Sequence, residues 1–431
     1  MRFKIFTLAL ALTWATFFSL PSFGQNFTNY QIISVNGGKF ESNPPFTDYV
    51  TIQTTSPETL QTTLQGTIYS QSVQDVIVYD AKYYVAAGDS VVKFDANTHQ
   101  RLAAARVIGA NKLALSGNYL LVSRQYPAVD SFLYILSAEN LSFIKAITEI
   151  SGESAGILCA EGMAFVAVNF GWAGTTGKIA QVDLNNLSFV KEEELGAEAT
   201  GIYNIYKNGN LLVTVNRTPW GGTSGYLSTY NPLTSQVKHY PVNHVLGSGY
   251  GIYKGELFVN LDGNMGTIDL NSYTVANPNL IANPVSAVFG SITSATLDTL
   301  NSRIYLNAGD YFSFGQGYVY TTLGDSLGIF SSGISAEAIA IDYRMLEGVV
   351  QPLLPEVDIY PNPFVSRLTI TSQQAVQSIE IFNLAGQKVY LAEAHSSEAL
   401  SLNLDFLKEG IYLMKVNYKG GISLTHKVIK R

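Results

Sequence analysis

MAFVAVNFG (163–171) reads as one short apolar strand running into a glycine-bearing loop, and six other stretches repeat it. They are QIISVNGG (31–38), YYVAAGD (83–89), YLLVSRQ (119–125), LLVTVNRT (211–218), LFVNLDG (257–263) and RIYLNAGD (303–310). With Ile33, Val85, Val122, Val166, Val213, Val259 and Leu306 as equivalent points, the spacings are 52, 37, 44, 47, 46 and 47 residues. One four-stranded propeller blade takes roughly 40–50 residues. Working outward, every copy after the first follows another strand, such as DVIVYD (75–80), KLALSG (112–117) or GIYNIYKNG (201–209). A third strand comes after a loop of variable length, as in VVKFDANT (91–98) and KIAQVDLNN (178–186), and ends in an Asp, Asn and Ser turn. A more polar fourth strand closes the unit, as in SFIKAITEI (142–150) and SQVKHYPV (235–242).

This order predicts an all-β chain and a seven-bladed β-propeller. The imperfect repeats also admit six or eight blades. The first repeat lacks a first strand, and AEAIAIDY (336–343) can supply it, closing the ring with strands from both ends and leaving no open sheet edge. A parallel β-helix would need shorter, more regular rungs, and no long stretch carries the 3.6-residue period of a helix.

Composition agrees. Of the 431 residues 47% are hydrophobic and 14% charged, against roughly 25% charged in ordinary domains. Tyr, Phe and Gly (26, 22 and 37 residues) fill the difference, as suits strands joined by tight turns. The net charge of −7, with no long Lys/Arg run, argues against a nucleic-acid partner. The N-terminus has the form of a secretory signal peptide over 1–24: Arg2 and Lys4, the apolar run Ile5–Leu20, then Ser22-Phe23-Gly24 before Gln25. Cleavage there leaves no transmembrane segment in the mature chain. Cys159 is the only cysteine, in an apolar strand-like context, and reads as a buried inert thiol.

After residue 343 the character changes. Pro352, Pro355, Pro361 and Pro363 mark a linker, and short strands separated by glycine turns follow, fitting a small β-sandwich. VDIYPNPF (357–364), SIEIFNLAGQKVY (378–390), LNLDFLKEGIYLMKVNY (402–418) and THKVIKR (425–431) resemble the C-terminal sorting domain of the type IX secretion system of Bacteroidota. The resemblance implies an immunoglobulin-like fold, handling by the type IX machinery, export across the outer membrane, and a secreted or cell-surface location. The expected organisation is a signal peptide at 1–24, a propeller over 25–350, a linker at 351–356 and the sorting domain over 357–431. VNGGKFESN (35–43) followed by TTSPETLQ (54–61) resembles the opening blade of YncE-like surface propellers, some of which bind cobalamin. Gly37, Gly38, Lys39 and Phe40 stand where that pattern has Glu, Gly, Asn and Phe. A corrinoid is the ligand this resemblance implies; the sequence itself requires no cofactor.

The loops between second and third strands should share one face. They carry Phe40, Arg124, Tyr126, Phe170, Trp172, Arg217, Trp220, Tyr311, Phe312 and Phe314, and His244 precedes a first strand near that face. Aromatics beside Arg donors suit a planar ligand, a glycan or a protein surface; packing between blades is the competing role. Asp75, Asn111, Glu198 and Glu337 stand near the starts of first strands and are candidates for a polar ring around the axis. No HExxH, Cys/His group, Gly-x-Ser-x-Gly elbow or phosphate loop occurs, so no catalytic or metal-ligating residue is assigned. The expected function is a non-enzymatic surface propeller that captures a nutrient or corrinoid through its loop-rich face. An adhesive protein-interaction scaffold is one alternative. A propeller enzyme, such as a lyase or metal-assisted hydrolase, is the other.

Overall fold

The computed structural model describes residues 27–39, 41, 46–128, 130–345, 357–372, 375–384, 386–393, 400–418 and 423–431. The proposed signal peptide, Phe40 and the 351–356 linker lie outside them. The chain divides into two compact units, 1–346 and 347–431. Their described residues are strands and loops, with two single-turn 3-10 helices at Gly171–Ala173 and Ala197–Ala199. No helix among them is long and apolar enough to cross a membrane.

The described residues of the first unit form seven four-stranded antiparallel sheets. One shows the rule: Ser154–Ala160, Met163–Val168, Gly177–Asp183 and Ser188–Gly196 lie side by side in chain order. The second strand of a sheet is buried on both faces, as Tyr83 to Ala87 are, because neighbouring sheets cover both sides. That is why these strands read as unbroken apolar runs instead of alternating. Leu121, Leu133 and Ile135 of one sheet share a core with Ala164, Val166, Ala180 and Val182 of the next. Val213, Val215 and Leu227 meet Leu257, Val259 and Ile268 in the same way. Each fully buried Val, Leu or Ile contributes about 1.5–3 kcal/mol of transfer free energy. Outermost strands such as Arg101–Arg106 are largely exposed, which explains their polarity.

The turns from third to fourth strand repeat one device. Asp95, Asp269 and Asn231 each accept hydrogen bonds through Oδ1 from the amides two and three residues on. The fifth residue of each turn (His99, Tyr273, Ser235) takes a positive φ of 55–56°. The Asp/Asn side chain holds the turn that the left-handed residue finishes.

First strands contact the first strands of the neighbouring sheets in an unbroken cycle, and Ala338–Met345 touches both Ser291–Asp298 and Val73–Tyr79. This arrangement is a β-propeller. Ala338–Met345 also pairs antiparallel with Phe27–Asn36, setting Ile32 opposite Ile341 and Val35 opposite Ala338. Phe27–Asn36 in turn pairs with Val50–Thr55, so it sits second in its sheet.

The second unit has a three-stranded sheet (Val357–Tyr360, Arg367–Ser372, Leu400–Asn403) and a four-stranded one (Lys388–Glu393, Val376–Phe382, Gly410–Tyr418, Ser423–Lys430). The two share one core, including Leu368, Ile370, Ile379, Ile381, Met414, Val416 and Val428.

Candidate ligand site at the mouth of the central channel

The starts of the first strands are irregular. Pairing with the second strand slips between Val73 and Asp75, Ala110 and Leu113, Ser154 and Ile157, Ile202 and Asn204, Leu246 and Gly249, and Ile292 and Ser294. A bulge releases a residue from the ladder and re-aims its side chain. Gln74, Lys112, Gly156, Tyr203, Ser248 and Thr293 fall inside these slips, and all six line one cavity of about 640 Å³. Glu337 joins them from just ahead of Ala338–Met345. Second strands end where first strands begin, so Arg217 and Tyr311, which follow Leu211–Asn216 and Arg303–Gly309, reach the same cavity. Gly156 is required here: a Cβ would collide with the Tyr203 carbonyl oxygen of the adjacent first strand.

The cavity wall is charged and aromatic. Lys112 Nζ lies 4.0 Å from Asp75 and 5.5 Å from the Tyr203 ring centre, and it donates to the Gln74 carbonyl. The Arg217 guanidinium stacks on the same ring, with Cζ 3.2 Å from its centre. One of its NH2 groups donates to Ser248 Oγ, while the buried Nε has no partner. Asp75 accepts the Leu113 amide at 2.9 Å. Burial pushes its carboxyl up, against Lys112 and that hydrogen bond. Burial also opposes ionisation of Tyr203, but Lys112 and Arg217 outweigh it and pull the phenol below its ordinary value. At Lys112 burial is overcome by Tyr203 and Asp75, so the ammonium is held more firmly than usual. Tyr250 is pushed up to about 12 by burial. Burial pushes Glu337 up to about 7, with Lys112 opposing.

Of the residues singled out in the sequence, Asp75, Glu337, Arg217 and Tyr311 meet at this cavity. The other two polar-ring candidates lie outside the cavity lining. Asn111 is buried and spends its Nδ2 on the Ser154 carbonyl at 2.8 Å. Glu198 is exposed in the turn Ala197–Ala199, outside the cavity lining. Arg124 also lies outside the cavity lining. It is 3% exposed, bonded to Ile108 O (2.9 Å), Asp130 Oδ1 (2.8 Å) and Ser131 O (2.7 Å), and stacked 4.0 Å from the Tyr134 ring centre. Trp172 and Trp220 are 94% and 93% exposed, and Tyr126 and Phe314 also face solvent; none lines the cavity. Phe312 meets Phe289 edge to face at 5.9 Å. Phe170 lies under Lys178 and lines a separate cleft of about 410 Å³ with Phe132, Glu153 and Thr176. His244 Nδ1 sits 2.6 Å from Asp262 Oδ2.

Sequence reasoning missed Lys112, Tyr203, Tyr206 and Tyr250. Lys112, Tyr203 and Tyr250 lie inside register slips, where alternation no longer says which way a side chain points, whereas Tyr206 pairs regularly with Val213. A further Ser–His contact, Ser228 Oγ to His239 Nδ1 at 2.9 Å, has its hydroxyl fully buried, so it offers no accessible nucleophile.

Residues 358–431 match the family model described as a secretion system C-terminal sorting domain. No curated protein matches the chain. A solved structure of a functionally unknown protein from Desulfotomaculum acetoxidans is 14% identical, covering 72% of this chain and 98% of that one, with a TM-score of 0.53. The Pan2 WD40 domain of Neurospora crassa is 12% identical over 62% of this chain and 80% of that one, with a TM-score of 0.45. The Dos1 propeller is 12% identical over 66% and 76%, also at 0.45. At these identities the first likeness speaks to fold alone. The chain is a β-propeller carrying a type IX sorting domain, exported across the outer membrane to the cell surface or the medium.

Proposed function

We propose that this protein is a seven-bladed, non-enzymatic surface propeller that captures a small ligand at the mouth of its central channel. In this reading a signal peptide (1–24) starts export, the propeller occupies 25–350, and pairing of Phe27–Asn36 with Ala338–Met345 closes the ring. One observation carries the binding site: among the described residues Arg217, stacked on Tyr203 inside the cavity, has no carboxylate within ion-pair distance and a buried Nε without an acceptor. A buried donor without an acceptor is costly, and a bound ligand relieves that cost. The cavity volume also falls in the range of small-molecule sites.

Trp172 and Trp220 support a second reading, because two nearly fully exposed indoles on one loop-bearing face suit a protein partner or a large planar ligand. A corrinoid would lie across that rim. Calorimetry on the mature chain separates the readings, using cobalamin, cobinamide and a panel of small acidic and neutral sugars. Saturable binding abolished by Arg217→Ala supports the channel site. Binding that survives Arg217→Ala but is lost in Trp172→Ala/Trp220→Ala moves the site to the rim. Binding of none of these compounds by folded protein argues against small-ligand capture.

A further inference from the structure

Resting on that reading of the channel mouth, we infer that its ligand is a sugar acid: a saccharide bearing one carboxylate, seated with that carboxylate on Arg217 and its hydroxyls toward Asp75 and Glu337.

The charges select the class. Lys112 is already faced by Asp75 at 4.0 Å. Of the two cavity cations Arg217 is the one without a carboxylate partner among the described residues, and only one of its five N–H donors is bonded to any of them, to Ser248 Oγ. A planar guanidinium with open donors matches a carboxylate, which accepts two parallel hydrogen bonds. Stacking on Tyr203 holds the guanidinium plane in place before any ligand arrives.

The same cavity holds two carboxyl groups, Asp75 and Glu337. They repel a ligand that is anionic all over and disfavour the dianion of a phosphate monoester. They serve a ligand that brings hydroxyl donors as well as one anion. Asp75 commits one oxygen to the Leu113 amide and keeps acceptor capacity for such a hydroxyl. Tyr203, Tyr206, Tyr250 and Tyr311 complete the wall. Tyr203 is already covered by Arg217, and the aromatic surface of Tyr206, Tyr250 and Tyr311 suits the C–H face of a pyranose. A purely apolar acid would leave the carboxyls without donors, and a neutral sugar would leave Arg217 uncompensated.

Titration calorimetry on the mature full chain tests this with D-galacturonate and D-glucuronate against D-galactose and D-glucose, which lack only the acid. The uronates should bind at least about tenfold more tightly than their neutral partners, the size expected for a charge-assisted pair. Raising salt should weaken the uronate selectively. Arg217→Ala should remove the preference, while Arg217→Lys, which keeps the charge but not the fork, should retain part of it. Unchanged melting of Arg217→Lys guards against misfolding. Equal binding of acid and neutral sugars, or an acid preference that survives Arg217→Ala, overturns the inference. Corrinoid or neutral-sugar binding that depends on Arg217 also overturns it, yet leaves the channel mouth standing as a binding site.

Discussion

Glu337 is where the cavity's chemistry meets ordinary pH. Its carboxyl is pushed up to about 7 by burial, with Lys112 pulling the other way. Asp75, Lys112, Arg217 and the phenols of Tyr203, Tyr206, Tyr250 and Tyr311 are the other charged or titratable groups that share its cavity. As pH rises through 7 the cavity gains one negative charge, while a ligand carboxylate stays ionised throughout. Uronate affinity should therefore fall between pH 6 and pH 8, and Glu337→Gln should flatten that profile in calorimetry. Stability follows the same sign. The folded carboxyl holds its proton to higher pH than the unfolded one, so its favourable contribution is complete below about 4.5 and is lost as pH rises through about 7. Glu337→Gln should gain about 2–3 kcal/mol on the wild type between pH 5 and pH 8, visible as a pH-dependent gap between thermal melts. An unchanged gap would mean that the carboxyl is not desolvated. Cys159 makes a simpler case. Burial alone pushes its thiol up to about 11, leaving roughly one thiolate in a thousand at pH 8. Iodoacetamide should alkylate it at least about a hundredfold more slowly in the folded protein than in urea; comparable rates would place the thiol in water.

Elements differ in how plainly the sequence announces them. Second strands are legible because burial on both faces makes them continuous apolar runs at a near-constant spacing, as Met163–Val168 and Leu211–Asn216 are. The third-to-fourth turns are legible for a local reason, the Asp or Asn that accepts the next amides. Asp75 and Glu337 can be placed because each stands immediately before an apolar strand run. Lys112 and Tyr203 cannot, because their bulges break the two-residue period on which facing is judged. Arg124 and Arg217 look alike in sequence, yet Arg124 ends the strand Tyr119–Arg124 while Arg217 stands one residue past Leu211–Asn216. That single step along the chain turns the side chain to the other side, so one is consumed by its own loop and the other opens into the channel. The seam between Phe27–Asn36 and Ala338–Met345 yields an element-scale prediction. Ile32 is fully buried there among Tyr305, Val319, Phe330 and Ile341. Ile32→Ala should cost about 2–5 kcal/mol, measured by urea unfolding. A loss below about 0.5 kcal/mol, the range of surface substitutions, would show that the seam does not hold the ring.

At the scale of the whole molecule, the two units divide structure from destination. Among the described residues, the core of the second unit contains only residues from Phe364 onward. The first unit's cores run from Ile32 to Ile341 and take nothing from the second. Units that each hold a core of their own melt as separate cooperative units. Removing 358–431, the segment that matches the sorting domain, should therefore leave the propeller's melting transition within about 2 °C of its value in the full chain. Its location should change completely, because the address is lost with the domain. In the native host the truncated protein should be retained inside the outer membrane. Protease added to intact cells should then spare it, while degrading or releasing the full-length protein at the surface. A truncated chain that stays folded but still reaches the surface would place the export information in the propeller. A truncated chain that fails to fold would show that the second unit also stabilises the first.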